Sequence, residues 1–209
     1  AVVLVLGPRK GKYNSDGSTN PMPGSNIPMA ALGVWILWLG WFGFNGGSEL
    51  VVSNESAAIA VSQVFLNTNM AAAGGVVAAI ITSLVLTGKM DVTMAMNGAI
   101  AGLVSITASP SAPSAGIALL IGAAGGALVY FSILYFDKRL KLDDPVGAIS
   151  AHGIVGILGV MVVPFTSDAS FIWQAIGVIS ISGFSFFASL GTILSVSYTH
   201  LRAHETHEN

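Results

Sequence analysis

The chain contains no cysteine, so it can build neither a disulfide framework nor a thiolate metal site. Charge is also scarce: 9% of its 209 residues are Asp, Glu, Lys or Arg, against about 25% in ordinary soluble domains. That scarcity removes the basic face a nucleic-acid partner would need. The period-2 alternation of a membrane barrel strand is missing as well. No nucleophile elbow, phosphate loop or paired-carboxylate arrangement occurs, so an enzyme reading has little support. The first residue is not methionine, and Ala1–Leu6 lacks the basic flank and cleavage site of a signal peptide. This opening reads as the stub of an earlier helix.

What the chain has instead is apolar length, with 53% hydrophobic residues and a mean hydropathy of +0.76. Charge-free stretches run from Ile27 to Ser48, Ser56 to Gly88, Val92 to Phe136, Pro145 to Ser167 and Ala169 to Leu201. A hydrocarbon core takes roughly 20 residues of helix. The 45 residues from Val92 to Phe136 therefore predict two helices, broken at the Ser109–Ser114 run with its two prolines. The pattern predicts an all-α polytopic membrane protein with six spans, near 28–47, 56–87, 92–108, 115–136, 146–164 and 171–195. Residues 1–195 form one incomplete transmembrane domain in this reading. Residues 196–209, polar and unlike the rest, are expected to be a non-native, adapter-like tail.

Seven of the eight Lys and Arg residues lie in three connections, at 9–12, at 89 and at 138–141. These alternate with connections lacking basic residues, which assigns the basic loops and both chain ends to the cytoplasm. Gly98-x-x-x-Gly102 and Gly122-x-x-x-Gly126, with Gly153, Gly156 and Gly159, predict close helix packing.

His152 is the ionisable residue that interrupts a predicted span, and such groups usually face an interior cavity or a polar partner. Helical stepping puts Gly156 and Gly159 on its face, so that face is expected to pack against protein. The bland alternative is a histidine bridging helices through a hydrogen bond. Trp35, Trp38, Trp41 and Phe44 recur at steps of three, and the tryptophans read as lipid contacts with an interfacial anchor. The run Trp41-Phe-Gly-Phe-Asn-Gly-Gly-Ser48 moves from aromatic bulk into small polar residues, which suits a pore mouth. There Phe44 offers a ring face to a cation and Ser48 an acceptor to a donor-rich solute, although on the residues alone ordinary interfacial packing is the better account of both. Asn67, Thr68 and Asn69 read as polar glue between helices. His200, His204 and His207 have the spacing of one helix face, but without supporting ligands they are not expected to hold a metal.

Four motifs in one order then identify a family resemblance: Gly40-Trp-Phe-Gly-Phe-Asn-Gly-Gly-Ser48; Asn67-Thr-Asn69; Asn97-Gly-Ala-Ile-Ala-Gly-Leu-Val-Ser-Ile-Thr107; and Asp143-Asp-Pro145 with His152-Gly-Ile-Val-Gly-Ile-Leu-Gly159. The chain resembles the ammonium transporter family (Amt/Mep/Rh), specifically the C-terminal half of a bacterial-type member, from Ala1 to about Leu194. The resemblance implies a partial ammonium-transporter fold, from the end of the fifth helix through the eleventh. It implies a multi-pass protein of the plasma (inner) membrane with a cytoplasmic C-terminus, and a homotrimer when full length. It also leaves room for a cytoplasmic regulator of the PII type. Carried over by position, His152 matches one of two pore histidines, Phe44 one of two stacked gating phenylalanines, and Ser48 the hydroxyl of the outer recruitment site. Their partners belong to the first half. Ammonium or ammonia is the implied substrate, passing a hydrophobic pore after losing a proton, with no cofactor. A sensor of the same architecture and a neutral-ammonia, Rh-like channel stay open as alternatives. The sequence departs from the pattern at Gly147, where many members carry an acid.

Overall fold

The computed structural model describes residues 1–205, with side chains through residue 199, and every regular element among them is a helix. A short α1 (Val2–Leu6) precedes α2 (Ile27–Gly47), α3 (Glu55–Thr87), α4 (Val92–Ile106) and α5 (Ala115–Tyr135). A π-helical turn, Phe136–Leu140, prolongs α5, and a second one, Ile149–Ile154, leads into α6 (Val155–Val162) and a 3-10 turn at Val163–Phe165. The last helix is α7 (Phe171–Glu205).

Local chemistry sets the helix starts. Asn26, Asn54, Asp91 and Ser114 each accept a hydrogen bond from a backbone N–H two or three residues on, as N-caps do. Gly88 closes α3 in the left-handed region at φ 70, with its N–H donated to the Leu84 carbonyl.

All six predicted apolar segments are helical, with starts within about three residues of expectation. Four are long and apolar enough to cross a membrane, whereas Val92–Ile106 and Ile149–Phe165 are shorter. The brevity of α4 has a visible cause. Asn67, the thirteenth residue of α3, donates to the carbonyls of Pro110 (2.8 Å) and Pro113 (2.7 Å) and so draws the turn after α4 inward. That turn therefore lies about 18 Å along α3 from its start. The last helix runs past the expected end at 195 to Glu205; of the tail histidines, His207 and the side chains of His200 and His204 lie outside the described residues.

The small-residue spacing is used as expected, with α3 clamped between α4 and α5. A Cβ added at Gly102 or at Gly122 would run into the Ala71 carbonyl, and one at Gly126 into the Gly75 carbonyl. Backbones of three helices thus touch where lipid gives no hydrophobic drive to association. Beside this seam Ala72, Ile100, Ala101, Leu103 and Val129 form a buried core with Ala151 and Val155.

At the end bearing the basic loops, the 7–26 connection is tied to the 136–148 connection. Arg9 grips Asp143 through its backbone N–H (3.0 Å), Nε (2.7 Å) and Nη2 (2.8 Å). Lys12 pairs with Asp137 at 2.9 Å, Tyr13 donates its hydroxyl to the same carboxylate, and Lys141 donates to the Gly17 carbonyl. The guanidinium bond holds the Asp143 carboxyl below its ordinary value, and Arg9 is raised in turn. Burial, followed by the charge of Asp137, pushes the Tyr13 phenol up to about 12.

Candidate functional site

The C-terminal half of α2 carries Trp41, Phe44 and Asn45, with Ser48 as its C-cap. Buried Asn45 donates to Thr68 Oγ1 at 2.9 Å and fixes this stretch against α3. Trp41 donates its indole N–H to Thr107 Oγ1 at 2.8 Å, which fixes it against the end of α4. Phe44 is left 62% exposed, its ring 5.7 Å from Trp41 and tilted by 52°. One turn on, Ser48 Oγ donates to the Phe44 carbonyl at 2.8 Å, which spends its proton and leaves its lone pairs to accept.

On its other side Trp41 lies nearly parallel to the His152 ring, 6.4 Å away at 14°. Three rings therefore follow one another, His152, Trp41 and Phe44, and the line ends at the Ser48 hydroxyl. His152 starts only three residues into its own helical segment, yet its neighbour Trp41 is the fifteenth residue of α2. The imidazole consequently lies about 21 Å along α2 from Ile27.

The expected face of His152 needs correction. Gly159 packs against the Ser105 carbonyl and Ser150, Ala151 and Val155 are buried, but His152 and Gly153 are exposed. The cause is the π turn, in which the Val155 N–H reaches back to the Ser150 carbonyl, five residues away, as well as to the His152 carbonyl. One such wide turn rotates the side chains before it relative to those after it, so regular helical stepping misplaces His152. Turns of this kind are frequent at functional sites.

The tryptophans need correction too. Trp35 is 69% exposed, in keeping with lipid contact, but Trp38 and Trp41 are partly buried against the core. Steps of three fall 60° short of a full turn each time, so Trp35 and Phe44 end on opposite sides of α2 with Trp41 between them. Asn67 and Thr68 are polar glue as expected, whereas Asn69 is exposed and has no hydrogen-bond partner among the described residues.

Below His152 a cavity of about 500 Å³ opens toward the basic-loop end, walled by the first half of α2, the first half of α4 and the 144–148 turn. Gly147 in that turn has φ +69, and a Cβ there would meet Asn97 Oδ1 at 2.8 Å and Ile133 Cδ1 at 3.0 Å. A side chain at position 147 would have to adopt a left-handed backbone and displace the tips of the Asn97 and Ile133 side chains. Sequence reading singled out Gly147 as a departure but gave Asn97 no role beyond its motif, because only the folded turn brings the two together.

The Ammonium Transporter Family model matches residues 1–209. Ammonium transporter Amt2 of Archaeoglobus fulgidus is 43% identical over 171 residues, which cover 82% of this chain and 36% of that protein. Among solved structures, one titled Sensor Amt Protein superposes with a TM-score of 0.88 at 37% identity, covering 94% of this chain and 50% of the other. Candida albicans Mep2 shares the fold at a TM-score of 0.80 and 24% identity, over 92% of this chain and 46% of its own. The chain thus spans half or less of the length of these proteins. An all-helical set of apolar segments, the ordered motifs and these likenesses agree: the chain belongs to the ammonium transporter family, a family of membrane transporters and not of enzymes.

Proposed function

We propose that the full-length protein moves ammonium or ammonia across a cell membrane and that His152, Phe44 and Ser48 lie on the path. The observation that carries the reading is the line of rings from His152 through Trp41 to Phe44, ending on an exposed acceptor at Ser48, in a chain of this family. An ion with four N–H donors suits Ser48 lone pairs and the face of Phe44. Carrying its charge through an apolar passage is too costly, so it sheds a proton before it reaches the imidazole. A neutral imidazole there offers one acceptor and one donor nitrogen to a passing ammonia molecule. The exposed face of His152 suits a wall supplied by an upstream half, in a protomer that assembles with two copies of itself.

The test is methylammonium uptake by the full-length gene in cells lacking their own transporters. Uptake no better than empty vector sinks the transport reading. His152→Ala is expected to change rate or ion selectivity by an order of magnitude while the oligomer elutes unchanged. Loss of folding with selectivity intact in the residual protein assigns His152 a structural role instead.

The likeness to the structure titled as a sensor favours a second reading, an ammonium-binding sensor of the same architecture. Saturable ammonium binding by purified protein, combined with no uptake, selects it.

A further inference from the structure

We propose that Thr107, the residue that closes α4, is a positioning residue for the path: its hydroxyl oxygen holds the Trp41 indole in place between His152 and Phe44, and so sets how sharply ammonium is selected over a methylated ammonium. The proposal rests on the transport reading above and gives a part in it to a side chain outside the line of rings.

Each partner of this hydrogen bond has one way to make it. The indole carries a single N–H and no acceptor, and it reaches Thr107 Oγ1 at 2.8 Å. Thr107 gives its own proton to the Leu103 carbonyl at 2.7 Å, so its oxygen turns lone pairs toward Trp41. The β-branched side chain is stiff about χ1, and this bond back to the preceding turn holds its rotamer. The backbone beneath it is held too. The Thr107 N–H donates to the Val104 carbonyl, and the turn that follows is drawn onto α3 by Asn67 through the carbonyls of Pro110 and Pro113. Trp41 is thus fastened to the end of α4 and not only to its own helix.

The fastening matters because the ring has neighbours on two sides. The His152 ring lies 6.4 Å from it at 14°, and the Phe44 ring 5.7 Å from it at 52°. An indole turns about two side-chain bonds, and a hydrogen bond at its nitrogen fixes the plane of the ring. Without the Thr107 oxygen a partly buried N–H would be left unpaired, and the ring would turn toward another acceptor. Discrimination between amines that differ by one methyl group needs walls that keep their spacing, and such a group is worth about tenfold or more in a fitted apolar passage. Thr107 therefore acts on selectivity through Trp41.

The experiment uses the full-length protein in cells lacking their own transporters. The readout is the half-saturating concentration of methylammonium divided by the ammonium concentration that halves its uptake, a ratio independent of how much protein is made. Thr107→Val keeps the shape and removes the acceptor, and it is expected to lower that ratio about tenfold. Thr107→Ser keeps the acceptor and should stay near wild type. In a Trp41→Phe background Thr107→Val must add nothing further. The proposal is overturned by a ratio that Thr107→Val leaves unchanged, by one that Thr107→Ser lowers as much, or by a further fall in the Trp41→Phe background. A second measurement needs no variant of Thr107: the difference between the ultraviolet resonance Raman spectra of wild type and Trp41→Phe reports the hydrogen bond of this one indole, and a free N–H there overturns the contact. Wild-type cells that take up no methylammonium overturn the transport reading instead. Thr107 is then judged on purified protein by how much more ammonium than methylammonium raises the unfolding temperature, a preference that Thr107→Val must reduce for the role to stand.

Discussion

Asp143 accepts three hydrogen bonds on its side chain at the loop end. It is 3% exposed and accepts from Nε and Nη2 of Arg9 and from the Arg9 backbone N–H. Arg9 itself has a side chain 41% exposed, so solvent screens part of the pair. Its worth falls between the ~0–1 kcal/mol of an exposed pair and the ~3–5 kcal/mol lost when one partner of a buried pair is removed. Asp143→Asn is expected to lose about 2 kcal/mol of stability at pH 7. The pH dependence follows from the sign of the shift. The folded state holds the carboxyl below its ordinary value, so its contribution is present above about pH 4 and fades as pH falls through the lowered value. Unfolding midpoints of wild type and Asp143→Asn should therefore differ at pH 7 and converge in acid. A gap of equal size at pH 3 would show that the loss comes from packing and not from charge.

At the scale of elements, the seam of α3 with α4 and α5 is where a single methyl has the largest leverage. Gly122→Ala places a Cβ on the Ala71 carbonyl, which is main chain and cannot rotate away. The helices must part, and an overpacking cost of about 1–3 kcal/mol or more is expected. Thermal unfolding in detergent should register it, while Gly116→Ala on the same helix, where an added Cβ meets nothing within 4 Å, should leave the midpoint near wild type. This seam was legible in the sequence, because spacing by four is a property of the helix itself. The helices were legible for the same reason, apolar length between charges. The face of His152 was not, since a π turn leaves no mark in residue type and shifts every side chain on one side of it. Trp41 was read as lipid-facing because its partners Thr107 and His152 are 66 and 111 positions away. Asn97 beside Gly147 escaped for a similar reason: its significance is a contact across 50 residues.

At the scale of the whole molecule, the two ends of the bundle differ in chemistry. One end ties Arg9, Lys12 and Lys141 into an acidic and carbonyl network, and the cavity below His152 opens there. At the other end α2 stops at Ser48, the connection that follows carries Glu49 and no basic residue, and Glu55 opens α3. If the basic end faces the cytoplasm, the line from Ser48 to Phe44, Trp41 and His152 runs inward and the cavity is its exit. The absence of cysteine lets this be tested with no thiol background from these 209 residues. In the full-length protein cleared of upstream cysteines, Ser53→Cys should react with a membrane-impermeant maleimide in intact cells, and Ser15→Cys should react only after lysis. Both serines are exposed in loops, so a failure to label cannot be blamed on burial within this chain. The reverse pattern would turn the path around: the cavity below His152 would become its entrance, and Ser48 the place from which the solute leaves.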